Sequence, residues 1–179
     1  MSPTIFNSYR YASSGKALID WNTPLNLATQ DAGVLTASTK TASWSNCCNV
    51  TSDAETYVLS SSGNTPVTFY YDADVTNASR NVQIGLKNSP DLTSNNQLFI
   101  GIMLTDVVYS INNGVSTEME ASPLSTDTWS ISINADRSGS YNKNDSSVAT
   151  WAASDLPADT YYHQSTCYYQ TTYCSATVE

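Results

Sequence analysis

The chain reads as an all-β protein, an antiparallel two-sheet sandwich, and three observations lead there. No window places apolar residues at the i, i+3, i+4, i+7 spacing of an amphipathic helix. Short β-branched and aromatic runs recur instead, separated by clusters of Gly, Pro, Asn, Asp and Ser. The stretch TDTWSISINADRSGSYNKNDSSVAT alternates apolar and polar side chains on two strands around a polar turn, then turns again at Lys-Asn-Asp. Roughly a dozen short strands suit a sandwich better than a small barrel.

Each element has its own signal. Residues 1–16 read as an N-terminal arm, carrying Tyr9, Tyr11 and Ser13-Ser14-Gly15, and 17–179 as a single sandwich domain. Strands are expected at Ala17–Trp21, Thr29–Leu35, Thr41–Trp44 and Glu55–Ser60. The SSGNTP segment turns at Gly63 and stops at Pro66. Val67–Asp72 and Asn81–Leu86 follow as strands, with a polar loop around Pro90. Gln97–Leu104 is the most apolar run; it is too short to cross a membrane and reads as a strand buried at the centre of the sandwich. Val107–Ile111 and Val115–Glu120 flank Asn113-Gly114, the strongest short-range hairpin signal. In Thr128–Asn134, Trp129, Ile131 and Ile133 share one face, and Ser130, Ser132 and Asn134 share the other. Burying that apolar face contributes about 1.5–3 kcal/mol per large side chain. Gly139–Asn142, Val148–Trp151, Thr160–His163 and Ala176–Glu179 complete the strand set.

Composition narrows the function classes. The net charge is −9, with 7 Lys and Arg and no basic cluster. Nucleic-acid binding needs phosphate neutralisation, so it is not expected. No apolar run reaches membrane-spanning length, and basic residues are too few for docking on anionic lipid. Charged residues are only 13%, and Ser, Thr, Asn and Tyr supply the polarity, a composition associated with secreted and virion proteins. The first residues lack an apolar signal core. Either a leader has been removed or the protein reaches an extracellular, cell or virion surface by another route, such as assembly into a virus particle.

Four cysteines, Cys47, Cys48, Cys167 and Cys174, lack the paired Cys-x-x-Cys spacing of a zinc site. They read as disulfide or buried thiols. Cys167 and Cys174 flank YYQTTY, where they could close the ends of a hairpin. Cys47 and Cys48 point to opposite faces of an extended segment, so one of them could instead pair with Cys167 or Cys174. Asn49, Asn77 and Asn144 begin Asn-x-Ser/Thr triplets, glycosylation acceptors in a eukaryotic secretory setting and otherwise markers of exposed loops.

The order of strands and turns resembles concanavalin A-like jelly-roll modules, nearest to SPRY-like and adhesin lectin modules. The matching pieces are Tyr109–Gly114, Asp127–Asn134, Tyr141–Asp145 and the late Tyr161-Tyr162, with TASWSN and QIGL upstream. The pattern covers 105–163 best. It departs at Asn144-Asp145, where the family carries Asn-Gly, at Cys47-Cys48, and in the Cys-bounded, Tyr-rich segment before the last strand. The resemblance implies a jelly-roll sandwich and raises both glycan binding and sugar cleavage.

Cleavage needs two carboxylates across the scissile bond. Glu118 and Glu120 are two apart on a strand, but the Glu-x-Asp-x-x-Glu set of the laminarinase-like members is absent, so a solvated strand face is the better reading. A Ser-His-Asp hydrolase would need His163 as base, and no nucleophile-elbow sequence accompanies it. No catalytic residue is assigned and no enzyme is expected. Calcium is the one cofactor the loops allow, through Asp72, Asp74 and Asn77 or through Asp136, Asn144 and Asp145, although Asp and Asn are also ordinary turn formers. Glycan binding needs exposed rings beside amides and hydroxyls. Twelve Tyr against three Phe is a surplus of rings with a polar handle. Tyr168, Tyr169 and Tyr173 are the ligand-binding candidates, whereas Tyr141 and Trp151 read as core. The expected function is a non-enzymatic recognition or adhesion module binding surface glycan or a protein partner. The alternative is a capsid, fibre or filament assembly protein, forming homo-oligomers through the arm and the tyrosines.

Overall fold

The computed structural model describes residues 17–18, 28–31, 34–37, 48–61, 63–73, 82–88, 98–105, 107–124, 126–167 and 173–178. Among the described residues, fourteen strands form two antiparallel sheets, and the only helical element is a short 3-10 turn at Ala153–Asp155. The strands are β1 (Ala17–Leu18), β2 (Ala28–Asp31), β3 (Val34–Ala37), β4 (Cys48–Val58), β5 (Val67–Ala73), β6 (Val82–Lys87) and β7 (Ile100–Leu104). They continue as β8 (Val108–Asn112), β9 (Val115–Glu120), β10 (Trp129–Ile133), β11 (Gly139–Lys143), β12 (Ser146–Trp151), β13 (Thr160–Cys167) and β14 (Tyr173–Val178). The eight-stranded sheet runs β12-β11-β10-β5-β14-β3-β2, with β1 also on β14; the six-stranded sheet runs β4-β13-β6-β7-β8-β9.

Turn chemistry explains the local hairpins. Asn113 and Gly114 both take positive φ, as do Asn144 and Asp145, so each pair makes the two-residue turn whose twist matches the flanking strands. Asn144-Asp145 therefore makes the turn that an Asn-Gly pair makes, with two residues that tolerate the left-handed region. Two expectations change. Thr29–Leu35 is not one strand: β2 and β3 are separate and pair with each other antiparallel. β4 and β13 run well beyond their expected ends, because each finds a full-length partner in the other. The expected Thr41–Trp44 strand and the 1–16 arm lie outside the described residues.

The core lies between the sheets. Phe69, Trp129, Ile131, Ile133, Tyr141 and Trp151 project from one sheet, and Ile84, Leu86, Ile100, Ile102, Leu104 and Tyr161 from the other. Polar contacts also cross this apolar layer. Tyr141 Oη on β11 donates to the Ile111 carbonyl on β8 at 2.5 Å, and Tyr71 Oη on β5 meets His163 Nε2 on β13 at 3.0 Å. Buried hydroxyls need such partners, since an unsatisfied one costs about 1–3 kcal/mol. The pair therefore fixes how the sheets are placed over one another.

Candidate functional site

The period-2 alternation that sends Trp129, Ile131 and Ile133 inward turns Ser130 and Ser132 to the outer face of the eight-stranded sheet. Register then lines them up with neighbours of the same chemistry. Ser132 stands opposite Thr68 on β5 and Ser140 on β11; Ser130 stands opposite Tyr70 and Asn142. The rows continue onto β12 as Thr150 beside Ser140 and Ser147 beside Asn142, and onto β14 as Thr177 beside Tyr70. Among the described residues, neither row contains a charged residue.

The centre of these rows is held in place before any ligand arrives. Asn142 Nδ2 donates to Ser130 Oγ at 3.2 Å and Ser132 Oγ at 3.0 Å, and its Oδ1 accepts from Ser140 Oγ at 2.8 Å. Ser132 Oγ also bonds Thr68 Oγ1 at 3.0 Å. Ser130 and Asn142 are buried beneath this lattice, while Thr68, Tyr70, Ser132 and Ser140 remain half-exposed. Hydroxyls and amides both donate and accept, so the face suits a neutral polyhydroxylated ligand rather than an ion.

A charged cluster closes one end of the sandwich. Lys143 Nζ lies 2.8 Å from Glu120 Oε2 and 3.1 Å from Asp127 Oδ2, with the Trp129 ring 5.9 Å away. Asn144 Nδ2 donates to Asp127 Oδ1 at 3.0 Å, and its Oδ1 accepts from Thr128 N at 2.9 Å. The cluster ties β9 of one sheet to β10–β12 of the other. The Lys143 hydrogen bond holds Glu120 below the usual carboxylate range. Burial pushes Asp127 up, but donors from Leu124, Asn144 and Lys143 more than offset it and leave it lowered. Both acids are therefore ionised, the reverse of what a glycosidase acid requires. Glu118 is exposed on edge strand β9, opposite Tyr109, and a register shift separates it from Glu120.

Other expected residues fall in different places. Asp136 sits in the β10–β11 turn, its carboxylate accepting from Ser138, whereas Asn144 and Asp145 form the β11–β12 turn. These lie at opposite ends of β11, separated by roughly 15 Å at the strand rise, so they do not converge on one calcium ion. Asp72 lies in β5; Asp74 and Asn77 are outside the described residues. Among the described residues, no three His, Cys, Asp or Glu side chains gather as metal ligands. His163 is fully buried on β13, edge-on to Phe69 at 4.7 Å, and burial pushes its pKa down to about 3. It is a core residue, not a surface base.

Cys167 ends β13 and Cys174 lies in β14, so the expected Cys-bounded hairpin does not form: the two strands belong to different sheets. Cys48 stands directly opposite Cys167 in register, and Cys47 lies outside the described residues. Tyr173 begins β14 opposite Thr36; Tyr168 and Tyr169 lie outside the described residues. Asn49 is in strand β4 opposite Thr166 rather than in a loop, while Asn144 is exposed in its turn with its amide engaged by Asp127 and Thr128. Thr68, Tyr70, Ser140 and Asn142 were not legible as site residues. The alternation in Thr128–Asn134 marks Ser130 and Ser132 as outward, but which strands flank them is a long-range fact.

No protein-family model matches the sequence, and no curated protein matches it. Solved structures do match its shape. The TRIM65 PSpry domain aligns with a TM-score of 0.60 at 10% identity over 89% of this chain and 88% of that one. The Emp47p carbohydrate recognition domain aligns with a TM-score of 0.61 at 8% identity, covering 93% and 90%. The Bacillus licheniformis β-glucanase aligns with a TM-score of 0.50 at 12% identity, covering 95% and 94%. Identities this low carry the architecture alone, and the architecture is the concanavalin A-like jelly-roll sandwich, in the form that SPRY domains and lectin recognition domains take.

Proposed function

We propose that this chain is a non-catalytic recognition module that binds glycans on the outer face of its eight-stranded sheet and acts at a cell or virion surface. The observation that carries this reading is the pair of uncharged cross-strand rows through Ser132 and Ser130, fixed by the Asn142 amide. A sugar ring offers hydroxyls that donate and accept, and such a lattice meets them at little cost in side-chain ordering. Support from the fold is general, since Emp47p has a carbohydrate recognition domain of this shape and the β-glucanase shares it too. The ion pairing of Glu120 with Lys143 favours binding over cleavage. Tyr173 is on the same strand, at the same alternation, as Ser175 and Thr177, which supports proposing it, with Tyr168 and Tyr169, as a ligand-binding residue.

A glycan array followed by titration of the best binder tests the reading. The paired substitution Ser132→Ala with Asn142→Ala removes hydrogen bonds worth about 1 kcal/mol each, so affinity falls roughly ten- to thirtyfold with the circular dichroism unchanged. Tyr173→Ala weakens binding further through lost stacking. No glycan bound, or a bound glycan indifferent to these changes, refutes the proposal.

One observation favours the assembly reading. Strand β12 is an edge of the eight-stranded sheet, carries no charge, and exposes Val148. Charge is what usually keeps an edge from pairing with another chain. Sedimentation equilibrium of wild type and Val148→Lys separates the readings: a dimer lost in the variant favours assembly through this edge.

A further inference from the structure

We infer that Cys48 and Cys167 form a cross-strand disulfide between β4 and β13, with Cys174 outside it. The register makes the assignment. In the antiparallel β4–β13 pair, Cys167 is the direct partner of Cys48, the last of the pairings running from Thr160 opposite Val58. Directly opposite residues in an antiparallel pair have Cα atoms about 4.5 or 5.5 Å apart, depending on their place in the ladder. Both values lie inside the roughly 4.4–6.8 Å span that a disulfide bridges without moving the backbone.

The competing partner for Cys167 is Cys174, near in sequence but placed on the other sheet. It pairs with Ala73 on β5 and Leu35 on β3. Packed sheets lie about 10 Å apart; β13 and β14 do approach to within 8 Å between Cα atoms, but Cys167 and Cys174 are not ladder partners, whereas Cys48 and Cys167 are. Sequence spacing favours the Cys167–Cys174 pair, and strand pairing favours Cys48–Cys167. The second rests on a direct ladder pairing and the first only on proximity along the chain. Position adds a reason for the bond. Among the described residues, β4 is an edge strand of the six-stranded sheet, held along one side, by β13. A covalent tie between Cys48 and Cys167 anchors β4 to its neighbour and closes a loop longer than about 100 residues.

The bond forms by exchange with a small-molecule disulfide. The thiolate of one cysteine attacks that disulfide and releases one small thiol. The thiolate of the other then attacks the mixed-disulfide sulfur, forming the Cys48–Cys167 bond and releasing the second thiol. The two protein thiols lose two protons and two electrons, and the reagent gains them.

The test is peptide mapping of the full chain, folded in oxidised and reduced glutathione, with free thiols alkylated before denaturation. Chymotrypsin with trypsin cuts among the tyrosines between Cys167 and Cys174, so the two are read separately. The expected result is a peptide containing Cys47-Cys48 linked to one ending near Cys167, with Cys174 alkylated. Cys47→Ser keeps the link and Cys48→Ser loses it. Reduction lowers the melting temperature by at least about 8 °C in wild type and leaves Cys48→Ser unmoved. A Cys167–Cys174 link, a link through Cys47, or four alkylated thiols overturns the assignment. The mapping uses unmutated protein, so it decides even where a variant does not fold.

Discussion

Acid should destabilise this protein in a window that belongs to one side chain. His163 is the chain's single histidine. It is fully buried on β13, with its Nε2 3.0 Å from Tyr71 Oη and its ring edge-on to Phe69. Burial disfavours the imidazolium and pushes the pKa from the ordinary 6.5 down to about 3. Between those values the unfolded chain carries a proton that the folded chain does not. The stability contributed by the neutral ring is therefore complete above about pH 6.5 and is lost as pH falls. Integrated from pH 7.5 to pH 5, the loss is about 2 kcal/mol. That figure barely depends on the folded value so long as it stays below about 4. Glu120, Asp127 and Asp136 are all lowered, so their stabilisation is lost as pH falls through the ordinary carboxylate range and below it, mostly beneath the pH 7.5–5 span in which His163 acts. The assay is urea unfolding of wild type and His163→Gln at pH 7.5, 6 and 5. Gln does not titrate and still offers Tyr71 a partner. Wild type loses about 2 kcal/mol across the series, and the variant, weaker at pH 7.5, loses under about 0.5 kcal/mol. Parallel losses in both proteins, or none in wild type, refute the argument.

Two further substitutions probe packing and turn chemistry. At Gly139 an added Cβ would collide with the Ser132 carbonyl and the Trp151 ring, so Gly139→Ala costs about 1–3 kcal/mol and shifts tryptophan emission in near-native protein. Asp145→Val places a β-branched residue at a φ of 63° and lowers the urea-derived stability by about 1–2 kcal/mol, whereas Asp145→Gly stays within about 0.5 kcal/mol of wild type.

What was legible follows the range of the forces involved. Val115–Glu120 emerges with the bounds read from sequence, and β5, β8, β10 and β11 emerge within a residue or so at each end, because alternation and turn residues act over a few positions. Asn113-Gly114 and Asn144-Asp145 turn as their chemistry requires. Trp129, Ile131, Ile133, Tyr141 and Trp151 are core, as period 2 implies. The misreadings share one cause. The sequence signal for β13 ends at His163, because its polar second half shows little apolar pattern; its pairing with β4 and β6 carries it to Cys167. The hairpin expected between Cys167 and Cys174 rested on proximity in sequence, which carries no information about which sheet a strand joins.

The sequence by itself determined an all-β sandwich, the inward faces of its best strands and the position of its tight turns, since each depends on neighbours two to four residues away. Only the tertiary structure decided that β10 lies between β5 and β11, which assembles Thr68, Ser130, Ser132, Ser140 and Asn142 into one lattice. It likewise set Cys48 opposite Cys167, and buried His163 against two aromatic rings. These are contacts between residues far apart along the chain, selected by how two twisted sheets bury their apolar faces together, and no local pattern encodes which distant strand satisfies that condition.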